Sequence, residues 1–165
     1  MGDTKNLNSE EAIDKIKYLA EEIKTGMFCT YKEFEIQSRP MTALEVDNEG
    51  NLWFMTDQRS NKVAEIESNP TVELFYTKGY DMFLSLHGKA IILHDRQKIE
   101  ELWNPIIKVW MPGGIDDPNL CIIKFTFDHG YYWNNKHNKM VVLAKMAASL
   151  LTGKTMDDGI EGKLT

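Results

Sequence analysis

Residues 52–66 read LWFMTDQRSNKVAEI, an apolar strand, a polar turn and a short helix in immediate succession. Ser60 is a favourable N-cap for a helix that ends near Ser68. The free N–H groups of a first helical turn, with the positive end of the helix dipole, favour an anion there. Thr56 and Lys62 would add a hydroxyl and an ammonium group. We call Thr56, Ser60 and Lys62 the phosphate seat, although an ordinary capped connection with solvated charges has the same local sequence.

The preceding predicted strand, residues 35–46, contains Arg39, one of the three arginines of the chain. A guanidinium group can bind a phosphate through two parallel hydrogen bonds, so Arg39 is a second candidate anion ligand one hairpin away. The alternative is an arginine on the solvent-facing side of an antiparallel strand. Pro40 lacks a ladder donor and therefore predicts a sheet edge, a bulge or a neighbouring ligand at this place.

Hydrophobic periodicity predicts antiparallel strands with helices around them. A capping box of Asn8 and Glu11 predicts a helix to about residue 25, and Asp95 caps a further helix that Pro105 interrupts. Gly88 predicts a bulge or bend within a long strand. Strands are predicted at residues 27–32, 35–46, 52–56, 71–76, 82–93, 120–127 and 131–133, turns at 47–51, 78–81 and 128–130, a loop at 111–119 and a last helix at 139–151.

With 165 residues and 42% hydrophobic content, the chain has the size of one domain, at residues 8–150, followed by a polar tail at 151–165 for which little order is expected. A net charge of -6 and a pI near 5.2 argue against nucleic-acid and membrane-surface binders. The sequence shows neither a signal peptide nor an apolar run of membrane-spanning length, so we expect a cytoplasmic protein.

The cysteines and histidines do not form a metal-binding pattern. Cys29 and Cys121 are far apart, each in an apolar run, and are expected to be buried and reduced. The histidines, at positions 87, 94, 129 and 137, lack metal-type spacing with them, so no metal is expected.

Four short motifs, taken in order, resemble one protein family. They are SRPM at residues 38–41, WFMT at 53–56 followed by Ser60 and Lys62, WMPGGIDDP at 110–118 and YYW at 131–133. Together they are similar to the FMN-binding split-barrel proteins, in the general stress protein 26-like branch of the pyridoxamine 5'-phosphate oxidase-like superfamily. The resemblance covers roughly residues 8–150. It implies an α+β fold, a six- to seven-stranded antiparallel split β-barrel with peripheral helices.

The resemblance also implies an FMN site at the interface of a homodimer. It assigns the phosphate to Arg39, Ser60 and Lys62, with help from Thr56 and Asn61. Pro40 and Met41 would line the flavin ring through their backbones, and Trp133 would reach the ring from the partner subunit. The other implied cofactor residues are Met55 and Trp110, which lies beside a lid-like loop.

Two departures from the oxidases of this superfamily affect the expected function. Those oxidases carry arginine and histidine residues near the C-terminus that bind the substrate phosphate, but this chain has no arginine after Arg96. Vitamin B6 oxidation is therefore not expected. Asn61 stands where they carry an arginine, which removes one donor to FMN. The leading hypothesis is an FMN-dependent oxidoreductase with an unknown small-molecule redox partner. The alternatives are a non-catalytic flavin-binding stress protein (a flavin store, sensor or interaction partner) and a binder of FAD, F420 or heme.

Overall fold

The computed structural model describes residues 3–135 and 159–165. The helices are α1 (Ser9–Ile23), α2 (Asn61–Ser68) and α3 (Arg96–Leu102), followed by a 3₁₀ helix (Pro105–Val109). The strands are β1 (Asp3–Thr4), β2 (Thr25–Lys32), β3 (Glu35–Thr42), β4 (Glu45–Val46), β5 (Leu52–Asp57), β6 (Thr71–Lys78), β7 (Met82–Leu93), β8 (Leu120–Asn135) and β9 (Gly159–Leu164). The helix predicted at residues 139–151 lies outside the described residues.

The strands form one curved sheet in the order β1-β9-β8-β7-β6-β2-β3, with β5 paired to the beginning of β8 and β4 paired to β5. All pairs are antiparallel except β1 with β9. The α+β class is confirmed, but the expectation of a barrel of six or seven strands is wrong. The sheet has nine strands and is open, because within the described residues β3 pairs only with β2. Pro40 lies on β3, which is an edge strand, and a sheet edge is one of the environments that its missing N–H group predicted.

Strand β5 is buried on both faces. Leu52 and Phe54 pack into the larger apolar cluster, which α1 also joins, and Phe54 meets Phe28 edge-on. Trp53 and Met55 point the other way and pack in a smaller cluster below α3 and the 3₁₀ helix. The strand that leads into the predicted phosphate seat is therefore fixed from both sides.

A bulge in β8 replaces one predicted turn. His87 pairs with His129 and Gly88 with Phe127, so Asp128 is the extra residue of the bulge. The bulge at Gly88 is confirmed, whereas the turn at residues 128–130 is wrong because β8 continues through it. A side chain at Gly88 could not fit, since its Cβ would lie 2.2 Å from the carbonyl oxygen of Thr126.

The helix ends agree only partly with the sequence. Asp95 caps α3 by accepting from the Lys98 N–H group, and a new helix begins at Pro105, as expected. The capping box at Asn8 is wrong, because its side chain accepts from the hydroxyl of Thr165 instead of capping α1. The polar C-terminal end forms β9 beside β8, which the sequence did not predict. Among the described residues, no helix has the length and apolar character needed to cross a bilayer.

Candidate functional site

The structure brings the three residues of the phosphate seat together. Strand β5 places Thr56 at its end, and the following turn places Ser60 immediately before α2. The Lys62 Nζ atom donates to Thr56 Oγ1 at 2.9 Å, and the Thr56 and Ser60 hydroxyl oxygens lie 3.3 Å apart. Two hydroxyls and one ammonium group thus converge at the N-terminus of α2.

The hydroxyl of Ser60 faces Thr56 and not the helix. Ser60 occupies the N-cap position as predicted, but its side chain makes no capping hydrogen bond. The Val63 N–H group donates to the Ser60 carbonyl oxygen at 3.0 Å, so the N–H groups of the exposed Asn61 and of Lys62 are those that the first turn of α2 can offer to a ligand. These N–H groups, the helix dipole and Lys62 all favour a negatively charged group at the same place.

The electrostatics of the seat also favour an anion. Burial lowers the pKa of Lys62, and the nearby positive charge of Arg39 lowers it further. A bound anion would offset both causes. The neighbouring Cys121 thiol donates to the carbonyl oxygen of Thr56 at 3.6 Å, and burial raises its pKa to about 11. Cys121 and Cys29 are both buried free thiols, as predicted.

Arg39 points to the inner face of the sheet and contacts α2. It pairs in register with the buried Phe28, and its Nη2 donates to Oε2 of Glu65 at 2.7 Å. Its Nη1 donates to the hydroxyl of Thr30, which itself donates to the same oxygen of Glu65. Glu65 is buried, so the alternative of a solvent-facing Arg39 is wrong.

Sequence reasoning missed Glu65 and Thr30. A signal existed, since an arginine inside a strand needs a partner and Glu65 lies between Val63 and Ile66, which are both buried on α2. Burial by itself would raise the pKa of Glu65, but hydrogen bonds from Thr30 and Arg39 and the charge of Arg39 lower it overall. The carboxylate is therefore ionised at neutral pH and holds the guanidinium group.

Three other predicted cofactor residues lie on β3 and β5. Pro40 is exposed and faces outward beside Met27, its partner on β2. Met41 packs against the larger apolar cluster. Met55 is buried in the smaller cluster, so its side chain serves the core.

The two predicted tryptophans lie apart from the seat. Trp110 follows the 3₁₀ helix and is 66% exposed. Trp133 is 50% exposed near the end of β8 and meets Tyr131 edge-on, with ring centroids 5.8 Å apart. Among the described residues, no hydrogen bond or ring contact joins either tryptophan to the phosphate seat.

Trp133 belongs to an exposed apolar surface on the outside of the sheet. It pairs directly with Phe83, as Met27 pairs with Phe75, and directly paired residues share one face. These four side chains, which we call the apolar face, are each 40–50% exposed. Exposed aromatic side chains in this number are typical of an interaction surface.

An open cleft of about 490 Å³ lies beside the apolar face. Within it, the Nδ1 atom of His87 lies 2.6 Å from Glu73 Oε1, and the His87 ring stacks on that of His129. No residue of the phosphate seat lines this cleft.

Comparisons with known proteins relate the chain to one family. A family model described as "Pyridoxamine 5'-phosphate oxidase like" matches residues 11–157. The chain is similar to general stress protein 26 of Bacillus subtilis (strain 168), with 27% identity over 123 residues, 72% of this chain and 85% of that protein. The crystal structure of general stress protein 26 from Bacillus anthracis str. Sterne superposes with a TM-score of 0.65 at 28% identity, covering 73% of this chain and 92% of that one. The general stress FMN/FAD binding protein from Xanthomonas citri superposes with a TM-score of 0.65 at 29% identity, covering 77% and 90%.

Proposed function

The chain belongs to the pyridoxamine 5'-phosphate oxidase like family, in its general stress protein 26-like branch, and from this premise we propose that it binds FMN with the phosphate in the seat of Thr56, Ser60 and Lys62, next to Arg39. The observation that carries the proposal is the convergence of hydroxyl, ammonium and helix N–H donors at one point. A terminal phosphate fits this set because every group in it can donate to an anion. A structural neighbour named as an FMN/FAD binding protein supports a flavin.

Titration with FMN and riboflavin tests this proposal. Riboflavin lacks the phosphate, so a change at the seat should affect FMN alone. We expect Lys62→Ala to weaken FMN binding at least tenfold, because a hydrogen bond from a charged group contributes about 1.5–3 kcal/mol. Lys108→Ala, at an exposed lysine of the 3₁₀ helix, is the matched control and should bind FMN like the wild type. Equal FMN affinity of Lys62→Ala and Lys108→Ala would contradict the proposal.

The absorbance of the purified protein separates flavin from heme.

We also propose that two copies associate through the apolar face. Met27, Phe75, Phe83 and Trp133 give each copy a self-complementary patch of the kind that twofold dimers bury. Among the described residues no contact joins Trp133 to the phosphate seat, and in the proposed dimer Trp133 would reach the flavin bound by the partner subunit. Sedimentation of the wild type at about twice the monomer mass is the expected result.

The bound flavin would supply redox chemistry, and the proposed activity is that of an oxidoreductase with an unknown substrate. Lys62 donates to Thr56 within the phosphate seat, and beside the seat Arg39 donates to Glu65, so these side chains are engaged in binding and positioning. Catalysis would therefore rest on orientation of the reactants. Stopped-flow reduction of the anaerobic complex by NADH or NADPH tests the activity against free FMN. Reduction no faster than that of free FMN would favour a flavin-binding stress protein without turnover.

A further inference from the structure

We infer that Glu65 is a positioning residue for phosphate binding: together with Thr30 it holds the guanidinium group of Arg39 in place beside the phosphate seat. This inference rests on the proposed FMN site. It assigns a binding-related role to a buried acidic residue that does not itself touch the ligand.

The hydrogen bonds fix the orientation of Arg39. Its Nη2 donates to Glu65 Oε2 at 2.7 Å, and its Nη1 donates to the Thr30 hydroxyl. Glu65 is 8% exposed and Thr30 is fully buried, so both acceptors are rigidly placed. A guanidinium group has five N–H donors, and these two bonds use two of them. Within the described residues Arg39 makes no other hydrogen bond, so the remaining donors are available to an anion.

The position of Glu65 on α2 brings Arg39 to the seat. Glu65 follows Lys62 by three residues, and residues with this spacing are neighbours on a helix surface. An arginine held at Glu65 is therefore held next to the ammonium group of Lys62. The lowered pKa of Lys62, which burial and the charge of Arg39 cause, agrees with this proximity. Asp57, whose charge also acts on Lys62, is paired with Arg59, so Arg39 and Lys62 beside the one carboxylate of Glu65 leave the site with a net positive charge.

Fixing Arg39 before binding should raise affinity, because a long side chain otherwise loses its rotamer freedom when the ligand binds. The hydrogen bonds of Glu65 and Thr30 impose that loss during folding. Without them, FMN itself would have to order the guanidinium group, and binding would be weaker by about three- to tenfold.

The test is FMN and riboflavin titration of three variants. Glu65→Ala should weaken FMN about three- to tenfold and leave riboflavin unchanged. Glu65→Gln should restore most of the affinity, because an amide oxygen accepts the same hydrogen bonds. Thr30→Val, which removes one acceptor of Arg39 at similar volume, should weaken FMN alone and serves if Glu65→Ala does not fold. In an Arg39→Gln background, Glu65→Ala should have no further effect on FMN.

Other outcomes would overturn the inference. Unchanged FMN affinity in both Glu65→Ala and Thr30→Val would show that Arg39 needs no positioning. Equal losses of affinity for FMN and riboflavin would show a merely structural role. A loss of FMN affinity caused by Glu65→Ala in the Arg39→Gln background would show the same. A wild type that binds no FMN would instead overturn the proposed function, and the inference with it.

Discussion

Arg39 on β3 and Glu65 on α2 form an ion pair of 2.7 Å that ties the edge strand of the sheet to the helix of the phosphate seat. The side chains are 21% and 8% exposed, so the pair is largely withdrawn from water. Arg39→Ala would leave the carboxylate buried without its counter-charge, and we expect it to lower the free energy of unfolding by about 3–5 kcal/mol. Urea denaturation of the ligand-free protein measures this loss.

Arg59→Ala is the matched control for that measurement. Arg59 also pairs with an acid, Asp57, at 2.6 Å, but its side chain is 68% exposed. Exposed pairs contribute little, so the variant should unfold within about 1 kcal/mol of the wild type. Equal stabilities of Arg39→Ala and Arg59→Ala would show that the inner pair does not matter to the fold. The same comparison shows whether a loss of FMN binding in Arg39→Ala reflects a less stable fold or a lost phosphate contact.

The pH dependence of stability should reveal Glu65. Its pKa is lower in the folded protein than in the unfolded chain, because the hydrogen bonds from Thr30 and Arg39 outweigh the opposing effect of burial. Its contribution is therefore complete above the ordinary glutamate pKa and is lost as the pH falls through the lower folded value. Thermal unfolding of Glu65→Gln should consequently depend less on pH below about pH 4.5 than that of the wild type. Glu67→Gln, at an exposed site on the same helix, should retain the acid dependence of the wild type.

The sequence predicted well those features that depend on neighbouring residues. Strand β5, the Ser60 N-cap position and α2 follow from an apolar run, a polar turn and a helical pattern within one short segment. The convergence of Thr56 with Lys62 follows from the same segment, since both lie at its strand–helix junction.

The features that sequence reasoning missed depend on distant partners. A polar triplet with glycine fits a turn and a bulge equally well, and only the pairing of β8 with Gly88 on β7 makes residues 128–130 part of a strand. The segment at 159–164 is polar and glycine-containing, and it is a strand because β8 and β1 flank it. Likewise, no local pattern couples Arg39 to Glu65 on a separate element.

The turn before β5 depends on one carboxylate. Asp47 accepts from Trp53 Nε1 at 2.8 Å and from the backbone and side chain of Asn51, and these bonds lower its pKa despite the opposing effect of burial. Asp47→Ala would leave these donors unpaired, and we expect it to cost about 1.5–3 kcal/mol of stability in urea denaturation. Asn48→Ala, at an exposed residue of the same turn, should cost much less. Similar losses in the two variants would contradict a specific role of the carboxylate.

The proposed dimer makes a prediction about charge on the apolar face. Phe83 is 41% exposed and lies beside Trp133, so Phe83→Asp would place a carboxylate in the proposed interface. In a twofold dimer each substitution occurs twice at one interface, and burying an unpaired charge is costly, so the variant should sediment as a monomer. Ile106→Asp is the control, because Ile106 is 66% exposed on the 3₁₀ helix and does not belong to the apolar face. A Phe83→Asp protein that remains dimeric would place the interface elsewhere. A wild type that sediments as a monomer would contradict the proposal that Trp133 reaches a flavin in the partner subunit. If Phe83→Asp is monomeric and also loses FMN while Ile106→Asp keeps it, the flavin site requires both subunits.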